Sequence, residues 1–284
     1  MPRFPRMAGG LAVAALAIVL LLTGAPPSAA VGPRDLTVVT FNIAHGALAG
    51  GDLGRVAAVI RSAHPDVVGL QEVDRSWSRS QSADQAAVLG RLLGMHHHFD
   101  PNLDCAPSDL DGDGFCQYGT AILSRYPFVA GSARHYSLPT VASAEPRGLA
   151  RIAINVRGRM VDLFNTHVTF VPALRPRQVA FIKNVVRHDR RPFVLTGDFN
   201  ALPFYLEMVS LRRVARDAAI AGGRPHLRTT ALSHPVRLDY IMLPRPPIDG
   251  PAKRVEVRDV YVIQRPRVSD HRPLVARLHI ASTP

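Results

Sequence analysis

Phe193-Val194-Leu195-Thr196-Gly197-Asp198-Phe199-Asn200 decides how the rest of the chain is read. The apolar start reads as a buried strand, and the polar end as the point where it reaches solvent. An Asp and an Asn two apart at a strand end lie on the same side and can converge on one ligand. The segment has companions in Thr40-Phe41-Asn42-Ile43, Gln71-Glu72-Val73-Asp74, Asn165-Thr166-His167 and Ser269-Asp270-His271. In each, a polar residue ends or interrupts an apolar run. Several strands delivering Asn, Glu, His and Asp to one rim is the pattern of a hydrolytic metal site.

Phosphate ester hydrolysis needs such a set. A divalent cation offsets phosphoryl charge, a base takes a proton from water, and a donor stabilises the departing oxygen. Hard cations such as Mg²⁺ or Mn²⁺ prefer oxygen ligands, so one carboxylate and one amide suffice, and Glu72 and Asn42 fit. Asp198 fits the base and His167 and His271 the donors, with Asp239 or Asp270 fixing a histidine tautomer. There is no thiolate set and no tetrahedral zinc spacing.

The surrounding pattern sets the fold class. Strands are expected at 35–43, 67–71, 95–99, 119–124, 193–197, 237–243, 254–263 and 273–280, and a hairpin over 147–156 and 160–167 turning at Arg157-Gly158-Arg159. Helices are expected at 53–63, 84–93, 175–187 and 206–215. Strands outnumber helices, and hairpins mix with crossovers. A two-sheet α/β core with helices outside fits better than a doubly wound parallel sheet.

The motifs resemble those of the endonuclease/exonuclease/phosphatase superfamily, which includes DNase I, abasic-site endonucleases, neutral sphingomyelinases and inositol-polyphosphate 5-phosphatases. The resemblance is carried by Phe41-Asn42, Gln71-Glu72-Val73-Asp74, Ala121-Ile122-Leu123-Ser124-Arg125, Asn165-Thr166-His167, Gly197-Asp198-Phe199-Asn200, Leu238-Asp239-Tyr240-Ile241 and Ser269-Asp270-His271. It runs from Leu36 to Ile280 and implies a four-layered α/β/β/α sandwich, DNase I-like, with the site at one end of the sheets. By the same resemblance Asn42 and Glu72 hold the metal and Asp270 lies near it. Asp198 activates water, and Asn200 holds that water or a phosphate oxygen. His167 binds phosphate, His271, oriented by Asp239, stabilises the transition state, and Arg147 after Glu145-Pro146 contacts phosphate. The substrate is a phosphate ester. A nuclease or nucleotide phosphodiesterase is expected first, and a phospholipid, phosphoinositide or sugar-phosphate hydrolase second. No basic insertion suited to a duplex and no aromatic hairpin suited to a membrane is visible. A non-catalytic binding module on the same fold would have lost site residues, and here every expected position is filled.

The bulk properties frame this reading. The chain has 284 residues and a formal net charge of +12. Arg3 and Arg6, the apolar run Leu11 to Leu22, and Ser28-Ala29-Ala30 form a signal-peptide layout over 1–30, so export is expected, with an uncleaved anchor as the alternative. Residues 31–284 then suit one catalytic domain. Lys183 and Lys253 are the only lysines, so the basic excess is nearly all Arg. That bias fits genome composition as well as phosphate-bearing partners. No segment points to an obligate protein partner, and a monomer is expected.

Two features lie beside the catalytic set. Cys105 and Cys116 are expected to pair in an exported protein, a closure of about ten residues that stabilises by roughly 2–3 kcal/mol. Between them, Asp109, Asp111 and Asp113 with Gly114 match the start of a calcium loop, but position twelve is Thr120 where a bidentate Glu belongs. Structural Ca²⁺ and a solvated acidic turn are the two readings. His96-His97-His98 is read as a strand with alternating faces rather than a ligand set, and Trp77 and Tyr126 as packing residues.

Overall fold

The computed structural model describes residues 1–2, 34–104, 115–245 and 255–280. The expected signal segment, Cys105 and the Asp109, Asp111 and Asp113 loop lie outside the described residues.

The chain lays down four strands, β1 (Arg34–Asn42), β2 (Val67–Arg75), β3 (His96–Asp104) and β4 (Gln117–Ser124). It then builds all of a second sheet: β5 (Arg134–Ser137), β6 (Gly148–Val156), β7 (Arg159–His167), β8 (Phe193–Asp198), β9 (Ala215–Asp217) and β10 (Asp239–Pro244). It returns with β11 (Val255–Val262) and β12 (Leu274–Ile280) to complete the first. The two six-stranded sheets run β11-β12-β1-β2-β4-β3 and β5-β6-β7-β8-β10-β9. Both are mixed: β1–β2 and β7–β8 are parallel and the other pairs antiparallel. This is the expected α/β/β/α sandwich.

Alternation along the strands sets the layers. Leu36, Val38, Val67 and Ile122 meet Ile152, Ile154, Val161 and Leu163 between the sheets. On the outer face of the first sheet, Val39, Phe41, Val68 and Leu70 pack under helices α1 (Leu53–Arg61) and α2 (Gln85–Leu93). On the outer face of the second, Phe164, Phe193 and Leu195 pack under α3 (Arg175–Arg187) and α4 (Leu206–Leu211), which is followed by the short α5 (Ala218–Ala221). Asp52 and Asp84 cap α1 and α2, accepting from the Gly54 and Ala87 N–H groups.

Two expectations need correction. The helix read over 206–215 stops at Leu211, and Ala215–Asp217 leaves it to pair with Pro244–Met242. Pairing with a buried strand overrides a weak local helical pattern. Strand β2 does not end at Gln71. It continues to Arg75 through a register break between Leu70 and Val73, and Glu72 takes φ 54° there. A bulge of this kind re-aims one side chain without ending the strand.

Near one end of the sandwich the apolar interior gives way to a buried polar layer. Asn165 Nδ2 donates to the carbonyls of Leu70 (2.7 Å) and Ala121 (3.0 Å), crossing from one sheet to the other. Its Oδ1 accepts from Gln71 Nε2 at 2.7 Å and faces the Thr196 hydroxyl at 3.0 Å. Gln71 Nε2 also donates to Thr40 Oγ1 at 3.1 Å. The sheets approach so closely here that a Cβ on Gly69 would collide with Thr196 and Asn165.

Candidate active site

Each strand carries its polar-layer residue two positions before a site residue, on the same face. Thr40 precedes Asn42, Asn165 precedes His167, and Thr196 precedes Asp198. The second sheet sets the lateral spacing. His167 pairs with Asp198 across β7–β8, and Asp198 with Asp239 across β8–β10. The site is thus a second layer stacked on the polar one.

Asp198 is the centre. Its Oδ1 accepts the Asn200 N–H at 2.9 Å, and its Oδ2 accepts Asn42 Nδ2 at 3.1 Å. The Nε2 atoms of His271 and His167 lie 3.5 Å and 3.6 Å from the same Oδ2. Burial pushes its carboxyl up, to about 7, against the pull of the His271 charge. A carboxylate of that basicity is matched to taking a proton from water near neutral pH.

His271 is wedged between two acids. Its Nδ1 is 2.9 Å from Asp239 Oδ2, and its Nε2 faces Asp198. Burial alone would lower the imidazolium, but Asp239 and Asp198 outweigh it and push it up to about 10. His271 is therefore a cation that donates. Ser269 seats it, donating to Asn42 O at 2.8 Å and accepting the His271 N–H at 3.1 Å.

His167 is the opposite case. Burial, then the charges of Arg147 and His271, holds it well below its ordinary value, so the ring is neutral. Arg147 Nη1 lies 2.7 Å from His167 Nδ1. A guanidinium can only donate, so Nδ1 accepts and the proton sits on Nε2, aimed into the site. Asn200 Nδ2 stands 3.2 Å from that nitrogen, held by Val168 O at 2.9 Å. Arg147 also pairs with Glu145 at 2.8 Å.

The acidic wall faces this donor set. Asn42 Nδ2 bridges Glu72 Oε1 (2.9 Å) and Asp198 Oδ2 (3.1 Å), while its Oδ1 accepts the Ala44 N–H at 3.0 Å. In this arrangement the amide presents donors to the site, so ligation through its oxygen requires the amide to turn. Asp239, Asp198 and His271 offer three atoms within 4.8 Å of one another. A cation held by these three would have to displace the His271 proton, which Asp239 and Asp198 hold in place. The oxygen-rich side is Glu72, with Asn42 beside it and the exposed Asp270 lining the same cavity. Two carboxylates drawn onto one N–H₂ group, all oxygen donors and no thiolate, fit a hard cation.

The cavity measures about 400 Å³ and holds Glu72, Arg147, His167, Asp198, Asn200, Asp270 and His271. Asp239 lies behind His271. Sequence reasoning gave no site role to several residues on its walls. Trp77, read as packing, lines it with Arg79 and Tyr118. Phe170 is 68% exposed at its edge, Phe204 is exposed on the loop after Asn200, and Leu206 is exposed at the first position of α4. Phe170 and Phe204 lie in loops and Leu206 at a helix start, not in a hairpin, which is why no periodic signal marked them. Gln85 was also missed: it accepts the Asp74 N–H and donates to His45 O, tying α2 to the bulged strand.

His96 and His98 share one face against Phe128, and His97 lies on the other, packed near Gly90. Alternation splits the run.

A family described as Endonuclease/Exonuclease/phosphatase matches residues 39–271. The chain is similar to an endonuclease/exonuclease/phosphatase from Beutenbergia cavernae, with 26% identity and a TM-score of 0.72, over 88% of this chain and 73% of that one. It is also similar to a mannosyl-6-phosphatase from Bacteroides thetaiotaomicron, with 18% identity and a TM-score of 0.62, over 86% and 99% of the two chains. The catalytic domain of human Nocturnin matches with 20% identity and a TM-score of 0.63, over 86% and 93%. The last two show the fold. No curated protein matches the chain in sequence.

Proposed function

Because the chain belongs to the endonuclease/exonuclease/phosphatase family, a divalent-metal-dependent group of phosphoester hydrolases, we propose that it is a secreted phosphodiesterase acting in the manner of a nuclease. The observation that carries this is the opposed pair of walls. The carboxylates of Asp198 and Glu72, bridged by the Asn42 amide, face the donors His167, Asn200, Arg147 and His271 across one cavity.

Asp198 takes the proton of the attacking water, a role worth roughly 10²–10⁴ in rate. The neutral His167, through Nε2–H, and the Asn200 amide hold the phosphoryl oxygens. Arg147 fixes the His167 tautomer and adds positive charge behind it. The imidazolium of His271, held by Asp239, donates to the oxygen on which charge develops. Mg²⁺ or Mn²⁺ held by Glu72, with Asn42 and Asp270 beside it, would supply Lewis-acid charge on the phosphoryl group.

The test is turnover of bis-p-nitrophenyl phosphate and plasmid DNA by the protein with Mg²⁺ or Mn²⁺, and again with EDTA. Loss of both activities in EDTA and recovery on adding metal is expected. Equal turnover in EDTA would remove the metal from the reading, and no turnover with either cation would remove the phosphodiesterase.

A phospholipid headgroup is the second reading. It is favoured by exposed Phe170 at the cavity edge, with Phe204 on the loop after Asn200 and Leu206 at the start of α4 also exposed, apolar side chains suited to a lipid surface. Turnover of sphingomyelin or phosphoinositide vesicles exceeding that of DNA would select it. Export and the Cys105–Cys116 bridge belong to the same proposal. Secreted protein should begin near Val31 and show no alkylatable thiol before reduction.

A further inference from the structure

Arg79 takes no part in the hydrolytic step, yet it is held more firmly than any surface arginine needs to be. It sits in the short turn Ser78–Ser80 that follows β2. Asp74, fully buried, spends both carboxylate oxygens on it, accepting Nε at 2.9 Å and Nη2 at 2.8 Å. Its guanidinium lies 3.9 Å from the centre of the Trp77 ring and 5.4 Å from that of Tyr118. Trp77 meets Tyr118 edge-on, with centroids 6.4 Å apart. Even so, 39% of the Arg79 side chain is exposed, and it lines the cavity. No described residue accepts from its Nη1. Burying a carboxylate to fix one arginine is a costly way to close a turn, since desolvation offsets much of the ion pair. What the arrangement does produce is a rigid cationic fork with unused donors, turned toward the substrate.

The phosphate to be cleaved is already served by Arg147, His167 and Asn200. Arg79 stands apart from that group. Tyr118 lies between, its ring against Arg79 and its hydroxyl in the field of Arg147. Glu72 and Glu145 lie in the field of Arg79, which thus offsets their repulsion of an entering anion. A planar fork with two parallel N–H groups suits a phosphate, which it can grip with two bonds. A nucleotide strand offers such a phosphate on either side of the one being cleaved, whereas a phosphomonoester of a neutral sugar offers none. We propose that Arg79, braced by Asp74 and Trp77, binds a second phosphate of the substrate, neighbouring the one that is cleaved, and so selects a nucleotide strand. This rests on the phosphodiesterase reading above.

The test uses the full chain with Mg²⁺ or Mn²⁺ and three dinucleotides of thymidine: one with no terminal phosphate, one with a 5′ phosphate and one with a 3′ phosphate. One of the two phosphorylated forms should have a kcat/KM higher by about tenfold, expressed in KM and fading with added salt. Arg79→Gln should erase that preference while lowering turnover of the plain dinucleotide far less. The preference is a ratio within one sample, so it does not depend on how much of the variant is folded. If the orphaned Asp74 charge unfolds the single variant, Asp74→Asn/Arg79→Gln removes that charge and the same ratio is read. No preference in the parent, or an equal loss on all three in the variant, overturns the inference. Failure of all three dinucleotides while bis-p-nitrophenyl phosphate is turned over overturns it alone. Failure of both kinds of substrate overturns the phosphodiesterase reading and this inference with it.

Discussion

The space between the two sheets has two unlike parts. Over most of its length it is filled by Leu36, Val38, Ile152, Ile154 and Leu163, which make non-directional contacts and tolerate small shifts. Under the cavity it is filled by Thr40, Gln71, Asn165 and Thr196, whose hydrogen bonds have fixed donors and acceptors. An apolar interface lets one sheet slide by fractions of an ångström over the other at little cost. A satisfied polar layer does not, because each displaced bond leaves a buried group unpaired. The side chains of the candidate site, Asn42, His167 and Asp198, stand two residues beyond that layer on three strands. The apolar part therefore accounts for stability, and the polar part for where Asp198 meets Asn42.

The largest expected effect lies above both parts. Asp198→Asn and His271→Ala should each lower kcat by roughly 10²–10⁴. Asp198→Asn keeps the side chain's shape, so its melting temperature should stay near that of the parent, whereas His271→Ala leaves Asp239 and Asp198 without their buried partner and should lower it. Near-full activity in His271→Ala would show that its lodging between two acids is structural. Glu72→Ala should instead raise the metal concentration needed for half activity.

Next comes the polar layer. Asn165→Leu removes the side-chain donor of the Leu70 and Ala121 carbonyls and leaves Gln71 Nε2 with Thr40 Oγ1 alone, at about 1–3 kcal/mol for each buried bond lost. A loss of about 3–5 kcal/mol in denaturant unfolding is expected, with activity lost too. Thr196→Val is the finer probe. It removes one hydroxyl and should cost about 1–2 kcal/mol while lowering kcat more than it changes KM, and Thr196→Ser should restore kcat. The matched control is Ile154→Val in the apolar part, costing about 0.5–1.5 kcal/mol with kcat unmoved. If Thr196→Val and Ile154→Val changed stability and kcat alike, the distinction between the two parts would collapse.

What was legible in the sequence follows the same division. A strand that ends in Asp, Asn or His after an apolar run announces itself locally, so Asp198, Asn42 and His167 were found from runs of a few residues. The hairpin turn was legible because Arg157 and Gly158 take positive φ, 49° and 84°, where Gly is at home. Helix α3 was legible from its 3.6-residue period. Long-range partnership was not. Nothing near Gln71 says that its amide reaches Asn165, 94 positions away. The Glu72 bulge has no period to betray it. The three-residue β9 sits inside a run that looks helical, and only its pairing with β10 decides otherwise. Arg79 is one arginine among many in sequence, and only Asp74 and Trp77 together single it out.

The smallest expected effect concerns a polar group buried with no network at all. His98, on β3 at the edge of the first sheet, packs on Phe128, and its Nε2 is buried without a partner among the described residues. Asn165 is satisfied on all sides, so its burial stabilises, whereas the burial of His98 disfavours its charged form. Burial lowers its pKa, Asp100 opposes this, and His97 adds to it. The folded value thus lies below the ordinary 6.5, and the unfolded chain binds the proton more readily. Stability is fully present above that value and is lost as pH falls through the folded one. Melting temperature should therefore drop between pH 7.5 and 5, and His98→Gln should flatten part of the drop. Asp100 runs the other way, since burial raises its carboxyl and so resists acid in the range just below. A His98→Gln variant whose melting temperature follows pH as the parent's does would mean that this buried ring is solvated after all, and that an unpaired polar atom costs nothing at the sheet edge.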